Sequence, residues 1–423
     1  MKTPINMASI IMKALNLTLL SLILTSISFQ SSLYANISEN HIFNYNARFH
    51  PVIGQYGMVA SQEENATKVG VDILKRGGNA IDAAVAMGFA LAVTLPRAGN
   101  IGGGGFMMIH IATDNQTFAL DYRETASQKS HRNMFLDDSG EPNNQLSRNS
   151  ILAVGVPGTV AGLTEARHRF GTFSLKTLLK PAIQLAKHGF VVNSDLKQSL
   201  SQAKPRMNGS ESAMGTFFKK DASEYKVGET LVQKDLAWSL KQIAKYGKDA
   251  FYSGNISKKF VAFMDSQEGL ITHEDLKNYQ PVWREPVSGS YRGYDIYAMP
   301  PPSSGGVHLI QMLRILEGFP IKEMGHNTAD TIHVLAETMK LAYADRSKFL
   351  GDPEYVSVPV QPLISEPYTA YLRSKIDRSK ATKSNLIQPG DPIKISEGNE
   401  TTHFVVMDRW GNVVSNTYTL NFS

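Results

Sequence analysis

Thr401-Thr402-His403 stands where a polar stretch ending at Glu400 gives way to alternating β sequence. A threonine that becomes an N-terminus carries both halves of an acyl-transfer catalyst: its hydroxyl is the nucleophile and its own α-amine the base. Cleavage of the Glu400–Thr401 bond would create such a residue. Thr417, Thr419 and Asn421 share one face of the final strand by period two. These three short hydrogen-bonding side chains could line a polar site or face solvent. Far upstream, Arg123 ends an apolar strand in Asp121-Tyr122-Arg123-Glu124-Thr125. A guanidinium there can grip a substrate carboxylate bidentately, or pair structurally with Glu124 or Asp121. Spacing alone favours the ordinary readings. Threonine suits strands by its shape, a single strand histidine is usually satisfied structure, and an ion pair accounts for the arginine.

Other chemistries have weaker support. Gly102-Gly103-Gly104-Gly105 forms no G-x-G-x-x-G in any register of residues 99–107, and strand sequence follows it where a helix should. The chain has no G-x-x-x-x-G-K-[ST], H-E-x-x-H or G-x-S-x-G motif. Four glycines then serve either tight packing, the simpler reading, or N–H groups aimed at an oxyanion. There is no cysteine, so disulfides, thiolate catalysis and Cys-based zinc sites are excluded. The net charge is +5, of which Lys2 and Lys13 supply two at the extreme N-terminus. So small an excess gives no argument for a nucleic-acid partner.

The elements that must position these residues follow from pattern. Ser61-Gln62-Glu63-Glu64 has the form of a capping box, predicting a helix that runs to Lys75 and stops at Gly77-Gly78. Asn79 opens a second, alanine-rich helix from Ala80 to about Val93, suited to close packing on a sheet. Residues 106–111 and 117–122 flank a turn at Asp114-Asn115 and predict a β-hairpin; residues 403–408 and 413–420 predict another around 409–412. Thr328 can cap a helix whose apolar positions Ile332, Leu335, Met339, Ala342 and Tyr343 recur at three- and four-residue spacing, ending at Gly351 and Pro353. Residues 200–230 are polar and read as an irregular surface excursion, and residues 378–400 as a linker. Helix pairs around hairpins without βαβ alternation indicate an α+β layered domain and not a doubly wound sheet.

At the N-terminus, Lys2 and Lys13 precede the apolar stretch Ala14–Phe29 and the small, polar run Ser31–Ala35. This predicts a secretory signal peptide, residues 1–35, and an exported, periplasmic or secreted protein. No second run is comparably apolar, which predicts a soluble mature protein without stable membrane insertion.

Several segments together resemble the γ-glutamyltranspeptidase (glutathione hydrolase) family. They are Asn100-Ile101 with the glycine run, Asp121–Ala126, and Val156-Pro157-Gly158-Thr159-Val160-Ala161-Gly162. Further matches are Pro300-Pro301-Pro302-Ser303-Ser304-Gly305-Gly306, Ala342-Tyr343-Ala344-Asp345-Arg346 and the Thr401-Thr402-His403 junction. The resemblance runs in order from about Tyr56 to Asn421. It implies an N-terminal-nucleophile hydrolase fold, an αββα sandwich of two stacked sheets between helical layers. It also implies a proenzyme cut at Glu400–Thr401 into a large-subunit portion, residues 36–400, and the start of a small subunit, residues 401–423.

By the same resemblance Thr401 is the nucleophile, Arg123 holds the α-carboxylate of a γ-glutamyl group, Thr419 hydrogen-bonds the nucleophile and Asn421 contacts the glutamyl moiety. The implied activity passes γ-glutamyl groups from glutathione and related small molecules to water or to amino acids and peptides, and needs no cofactor or metal. A large/small subunit heterodimer is implied as well. Ser303-Ser304 differ from the family's oxyanion serines and read as a buried turn. The family's small subunit continues well past Asn421, so an incomplete sandwich with little turnover is expected of this chain by itself, with the final strand at an open sheet edge as an aggregation hazard. A non-catalytic remnant, and a β-lactam or glutaryl acylase of the same fold, are the alternative readings.

Overall fold

A computed structural model describes residues 52–387 and 402–420, and the compact unit begins at Gln55. Residues 1–35, the Glu400–Thr401 bond and Asn421 lie outside the described residues.

The centre is a six-stranded antiparallel sheet. Its strands are β1 (Gly57–Ala60), β2 (Gly104–Ile111), β3 (Gln116–Asp121), β4 (Val282–Arg284), β7 (Thr402–Asp408) and β8 (Val413–Thr419), in the order β1-β7-β8-β2-β3-β4. Between β4 and β7 in the chain, β5 (Val287–Tyr291) and β6 (Tyr294–Ala298) form a separate two-stranded hairpin. Both hairpins expected around β2–β3 and β7–β8 are present. Strand β8 is not at an edge: it pairs with β7 on one side and β2 on the other. Its ladder groups are therefore used on both sides, and among the described strands β1 and β4 are the outermost.

One face of the sheet carries Val59, Met107, Ile109, Leu120, Phe404, Val406, Val414 and Tyr418, all buried. Helices cover it: α1 (Glu64–Lys75), α2 (Ala80–Thr94), α3 (Thr159–Phe170), α4 (Leu175–His188) and α5 (Lys234–Tyr246). Every residue of α2 is buried. Small side chains make this possible, since alanine and glycine let the helix axis approach both the sheet and α4. Asn79 and Asp82 form a reciprocal capping box at its start. The Tyr418 hydroxyl donates to the Gly88 carbonyl in its middle (2.8 Å), and Asp408 accepts from the Ala80 N–H (2.9 Å) at its N-terminus. There the helix dipole also favours a carboxylate. The opposite sheet face, with His403, Val405, Met407, Val413 and Ser415, stays half-buried or exposed. The described residues thus contain one large sheet, and the second sheet that the resemblance implies is not among them.

A smaller core joins α6 (Gly305–Glu317), α7 (Ala329–Phe349) and α8 (Glu366–Ser374). The helix expected after Thr328 is present, but its inner face is not its most apolar one. In α7 the buried positions are Thr331, Val334, Glu337, Thr338, Leu341, Ala342 and Asp345, while Ile332, Leu335, Met339 and Tyr343 are exposed. Polar members enter because partners wait for them. Asp345 accepts from Gln311 (2.7 Å) and Tyr368 (2.8 Å), and Glu337 from Lys340 (2.6 Å). Three smaller corrections concern local patterns. The cap of α1 is Glu63, whose carboxylate accepts from the Asn65 and Ala66 N–H groups and from Thr94, not Ser61 with Glu64. Residues 200–230 include the helix ends of Ser194–Met207 and all of Glu211–Phe217. Ser303 and Ser304 are only half-buried, with the Ser303 hydroxyl accepting from the Gly305 N–H at the start of α6.

Two predictions follow from this packing. A Cβ at Gly105 would sit within the contact radius of the Thr417 carbonyl oxygen and the Tyr418 backbone, whereas one at Gly102 meets nothing within 4 Å. Gly105→Ala should therefore cost about 3 kcal/mol in urea unfolding, with Gly102→Ala near neutral. Equal effects would contradict the close-approach argument.

The second concerns His308, buried on α6 with its Nε2 lacking a hydrogen-bond partner among the described residues. Burial, and secondarily the charge of Arg346, lower its pKa to about 4. An unfolded histidine titrates near 6.5, so below that pH the unfolded chain takes up a proton that the folded chain refuses. The contribution is complete above about pH 6.5 and is lost progressively toward pH 4. Urea midpoints of His308→Gln should show a shallower decline across that window than the unsubstituted chain.

Candidate functional site

Backbone contacts gather four chain segments at one end of the sheet. The Asn100 carboxamide oxygen accepts from the Gly103 N–H (2.7 Å) and the Thr159 hydroxyl (2.7 Å), fixing the glycine run against the start of α3. The Gly103 carbonyl in turn accepts from the Gly158 and Thr159 N–H groups (2.8 and 3.0 Å). Gly105 and Tyr122 exchange both backbone hydrogen bonds (3.2 and 2.9 Å), so the β3 segment that continues into Arg123 starts level with the beginning of β2. On the other side, Gly104 pairs with Thr419 and Tyr418 with Thr402. The C-terminal end of β8, the N-terminal end of β7, the beginning of β2 and the Arg123 segment therefore share one edge.

The glycines make that convergence sterically possible. Side chains at Gly103 and Gly105 would strike the Thr419 and Thr417 carbonyls, and one at Gly104 would meet the Tyr122 carbonyl and Glu124. The glycine run thus serves close packing, as its simpler reading held. Gly158 and Gly162 do the same for α3, which lies directly on Tyr122. Tyr122 is fully buried and donates to the Asn416 carboxamide oxygen (2.6 Å). Burial pushes its phenol pKa well up, so it stays a neutral donor.

Arg123 is held by its backbone. Its carbonyl accepts from the Tyr279 hydroxyl (2.7 Å), and its N–H donates to Asp121 (3.0 Å). Tyr279 is itself stacked on Tyr252, 5.7 Å between ring centroids and 9° from parallel. The guanidinium lies 3.5 Å from the Glu124 carboxylate and over the Phe106 ring. Asp121 pairs instead with Arg284 (2.8 Å), so of the two acids flanking Arg123 only Glu124 forms an ion pair with its side chain. Burial raises the Glu124 pKa, with Arg123 opposing that shift. Glu124 entered the sequence reading only as a structural partner of Arg123, and its burial is invisible in a polar run.

Thr419 is buried at the end of β8. Thr402 is wholly buried beneath the sheet, whereas His403 points to the opposite face, as alternation requires. His403 is hydrogen-bonded through Nδ1 to Thr417 (2.7 Å), and burial lowers its pKa. Both side chains are thereby satisfied as a cross-strand pair, the structural role expected of a strand histidine. The described parts of the site bring Arg123 and Thr419 to the same sheet end. In sequence Thr401 precedes Thr402 and Asn421 follows Leu420, and both of them, with Glu400, lie outside the described residues. A cleft of about 660 Å³ opens there, lined by Gly99, Asn100, Gly102, Phe217, Gln233 and Leu420, without Arg123 or Thr419 among its walls. Among the described residues there is no cluster of three or more His, Asp or Glu side chains suited to a metal, and no helix long and apolar enough to cross a membrane.

Comparison with known proteins accounts for this arrangement. The glutathione hydrolase proenzyme of Escherichia coli (strain K12) is 50% identical over 377 residues, covering 88% of this chain and 64% of that protein. The acylase ACY 1 proenzyme of Pseudomonas sp. (strain SE83) is 40% identical over 377 residues, 88% of this chain and 66% of its own length. The chain thus spans somewhat under two thirds of these relatives. The crystal structure of Helicobacter pylori gamma-glutamyltranspeptidase superposes with a TM-score of 0.78 at 44% identity, covering 83% of this chain and 99% of the compared one. The fold is that of the N-terminal-nucleophile hydrolases. With the family profile for gamma-glutamyltranspeptidase matching residues 66–423, the chain belongs to the gamma-glutamyltranspeptidase family.

Proposed function

We propose that this chain is the glutathione hydrolase type of proenzyme, exported through residues 1–35 and cleaved at Glu400–Thr401. In cis, the Thr401 hydroxyl attacks the Glu400 carbonyl carbon and the peptide C–N bond breaks. The hydroxyl proton passes to the departing nitrogen, which becomes the free Thr401 α-amine, and water then hydrolyses the ester to release the Thr401 hydroxyl and the Glu400 carboxylate. The freed Thr401 hydroxyl attacks the γ-glutamyl amide carbonyl of a donor such as glutathione; its α-amine takes the hydroxyl proton and gives it to the nitrogen that leaves as the γ-amide C–N bond breaks. The γ-glutamyl ester is then passed to water or to the amine of an amino acid or peptide. Large and small subunits, divided at Thr401, would remain together.

The observation that carries this reading is the convergence of Arg123 and Thr419 on the sheet end where the strand beginning at Thr402 starts. A fixed cation there suits a donor with a free α-carboxylate. By the family resemblance, Thr419 would hydrogen-bond the nucleophile and Asn421 would contact the glutamyl moiety. Arg123 is also what favours γ-glutamyl donors over the β-lactam or glutaryl acyl groups of an acylase.

The test is expression of the chain with assays for cleavage at Glu400–Thr401 and for release from a γ-glutamyl anilide. Thr401→Ala should abolish both. Arg123→Ala should leave cleavage intact while lowering kcat/KM for the γ-glutamyl anilide on the order of 100-fold, with little effect on a glutaryl anilide. An uncut, inactive product identifies a non-catalytic remnant, and equal losses on both anilides would point to the acylase reading.

A further inference from the structure

The inner face of the sheet holds two polar side chains whose hydrogen bonding is incomplete. Thr402 and Asn416 are both fully buried, yet the Thr402 Oγ1 and the Asn416 Nδ2 have no hydrogen-bond partner among the described residues. The Asn416 carboxamide uses only its oxygen, which accepts from the Tyr122 hydroxyl (2.6 Å). Register brings the two orphaned atoms near each other. Thr402 pairs with Tyr418 and Phe404 with Asn416, so Thr402 and Asn416 are diagonal neighbours on one face of β7 and β8. Diagonal neighbours on a sheet face are about 7 Å apart at the backbone, and the reach of two short side chains leaves the span of two hydrogen bonds through one water. The chemistry is matched as well, because a carboxamide N–H donates and a threonine hydroxyl both accepts and donates. Orphaned separately, each group carries the full cost of burial, whereas one shared water satisfies both.

We propose that Thr402 and Asn416 hold one internal water, and that the chain from Tyr122 through Asn416 and this water to Thr402 makes Asn416 and Tyr122 positioning residues for the reacting threonine. Each end of the chain is one residue from the proposed chemistry: Thr402 follows Thr401, and Tyr122 precedes Arg123. Gly105 pairs with Tyr418 on one side and Tyr122 on the other, and without a side chain there the Tyr122 hydroxyl reaches across β2 to Asn416. The Tyr122 ring is fixed in turn against Gly162 of α3. The water thus ties the start of β7 to the segment carrying Arg123, although β7 and β3 are not neighbours in the sheet. Ladder bonds set the spacing of adjacent strands, and this chain sets it across non-adjacent ones. The positioning role rests on the proposed role of Thr401, and the water site does not.

The test begins with melting temperatures. Thr402→Val keeps the shape of the side chain and removes its hydroxyl. Removing an unbridged orphan would leave the melting temperature unchanged or raise it, whereas removing a bridged hydroxyl should lower it by about 2 °C. In a Tyr122→Phe, Asn416→Leu background, which takes away the other end of the chain, the same substitution should cost nothing. No loss in the unsubstituted chain, or an equal loss in both, overturns the water site. Should the background variant not fold, a crystal structure of the unsubstituted chain decides. An ordered water within hydrogen-bond distance of both atoms supports the site, and a dry contact overturns it. The second readout is the rate of cleavage at Glu400–Thr401, measured well below melting. Thr402→Val should slow it about tenfold, and Thr402→Ser, which keeps the hydroxyl, should recover most of the loss. A lowered melting temperature with an unchanged rate overturns the positioning role. Absence of cleavage in the unsubstituted chain overturns that role together with the Thr401 reading, while the melting temperatures still judge the water site.

Discussion

Backbone contact without side chains between them is the constraint on which the site depends. β2 meets β8 on one side and the Tyr122–Glu124 segment on the other, and Gly103, Gly104 and Gly105 supply the missing volume on both. The loop before α3 then seats on the same place, with its Gly158 and Thr159 N–H groups on the Gly103 carbonyl. Each approach saves the width of a side chain. Together they bring Arg123 and Thr419, nearly 300 residues apart in sequence, onto one sheet end. Glycine loses more conformational entropy on folding than other residues, so a run of four is stable only where packing compensates for it.

Beneath that edge, buried tyrosines act as struts. Tyr122 donates to Asn416, Tyr418 to the carbonyl of Gly88, Tyr252 to the carbonyl of Pro157 and Tyr279 to that of Arg123. Each couples a large apolar surface to one directed hydrogen bond, which fixes spacing and orientation at once. Arg123 is consequently placed by its main chain, with the Glu124 carboxylate, whose pKa burial raises, 3.5 Å from its guanidinium. Asp121, committed to Arg284, takes little from it.

Much of this was legible in the amino-acid sequence. The α2 helix with its Asn79 cap, both hairpins and the antiparallel layered class follow from periodicity and turn chemistry, because these are local effects of a few residues. The absence of cysteine chemistry is equally direct. Arg123, Thr401, Thr419 and Asn421 stood out as chemically capable residues, but only the ordered family motifs raised them above ordinary strand sequence.

Tertiary structure decided what local pattern cannot reach. It set the interior place of β8, because strand neighbours are chosen by register across the whole sheet. It moved the α1 cap from Ser61 to Glu63, whose carboxylate also serves the distant Thr94. It turned α7 so that Thr331, Glu337 and Asp345 face inward to waiting partners while Ile332 and Met339 face out, reversing the side that hydropathy favours. Hydropathy along a helix shows that a face requires cover, but the helices packed around it determine which face is covered first.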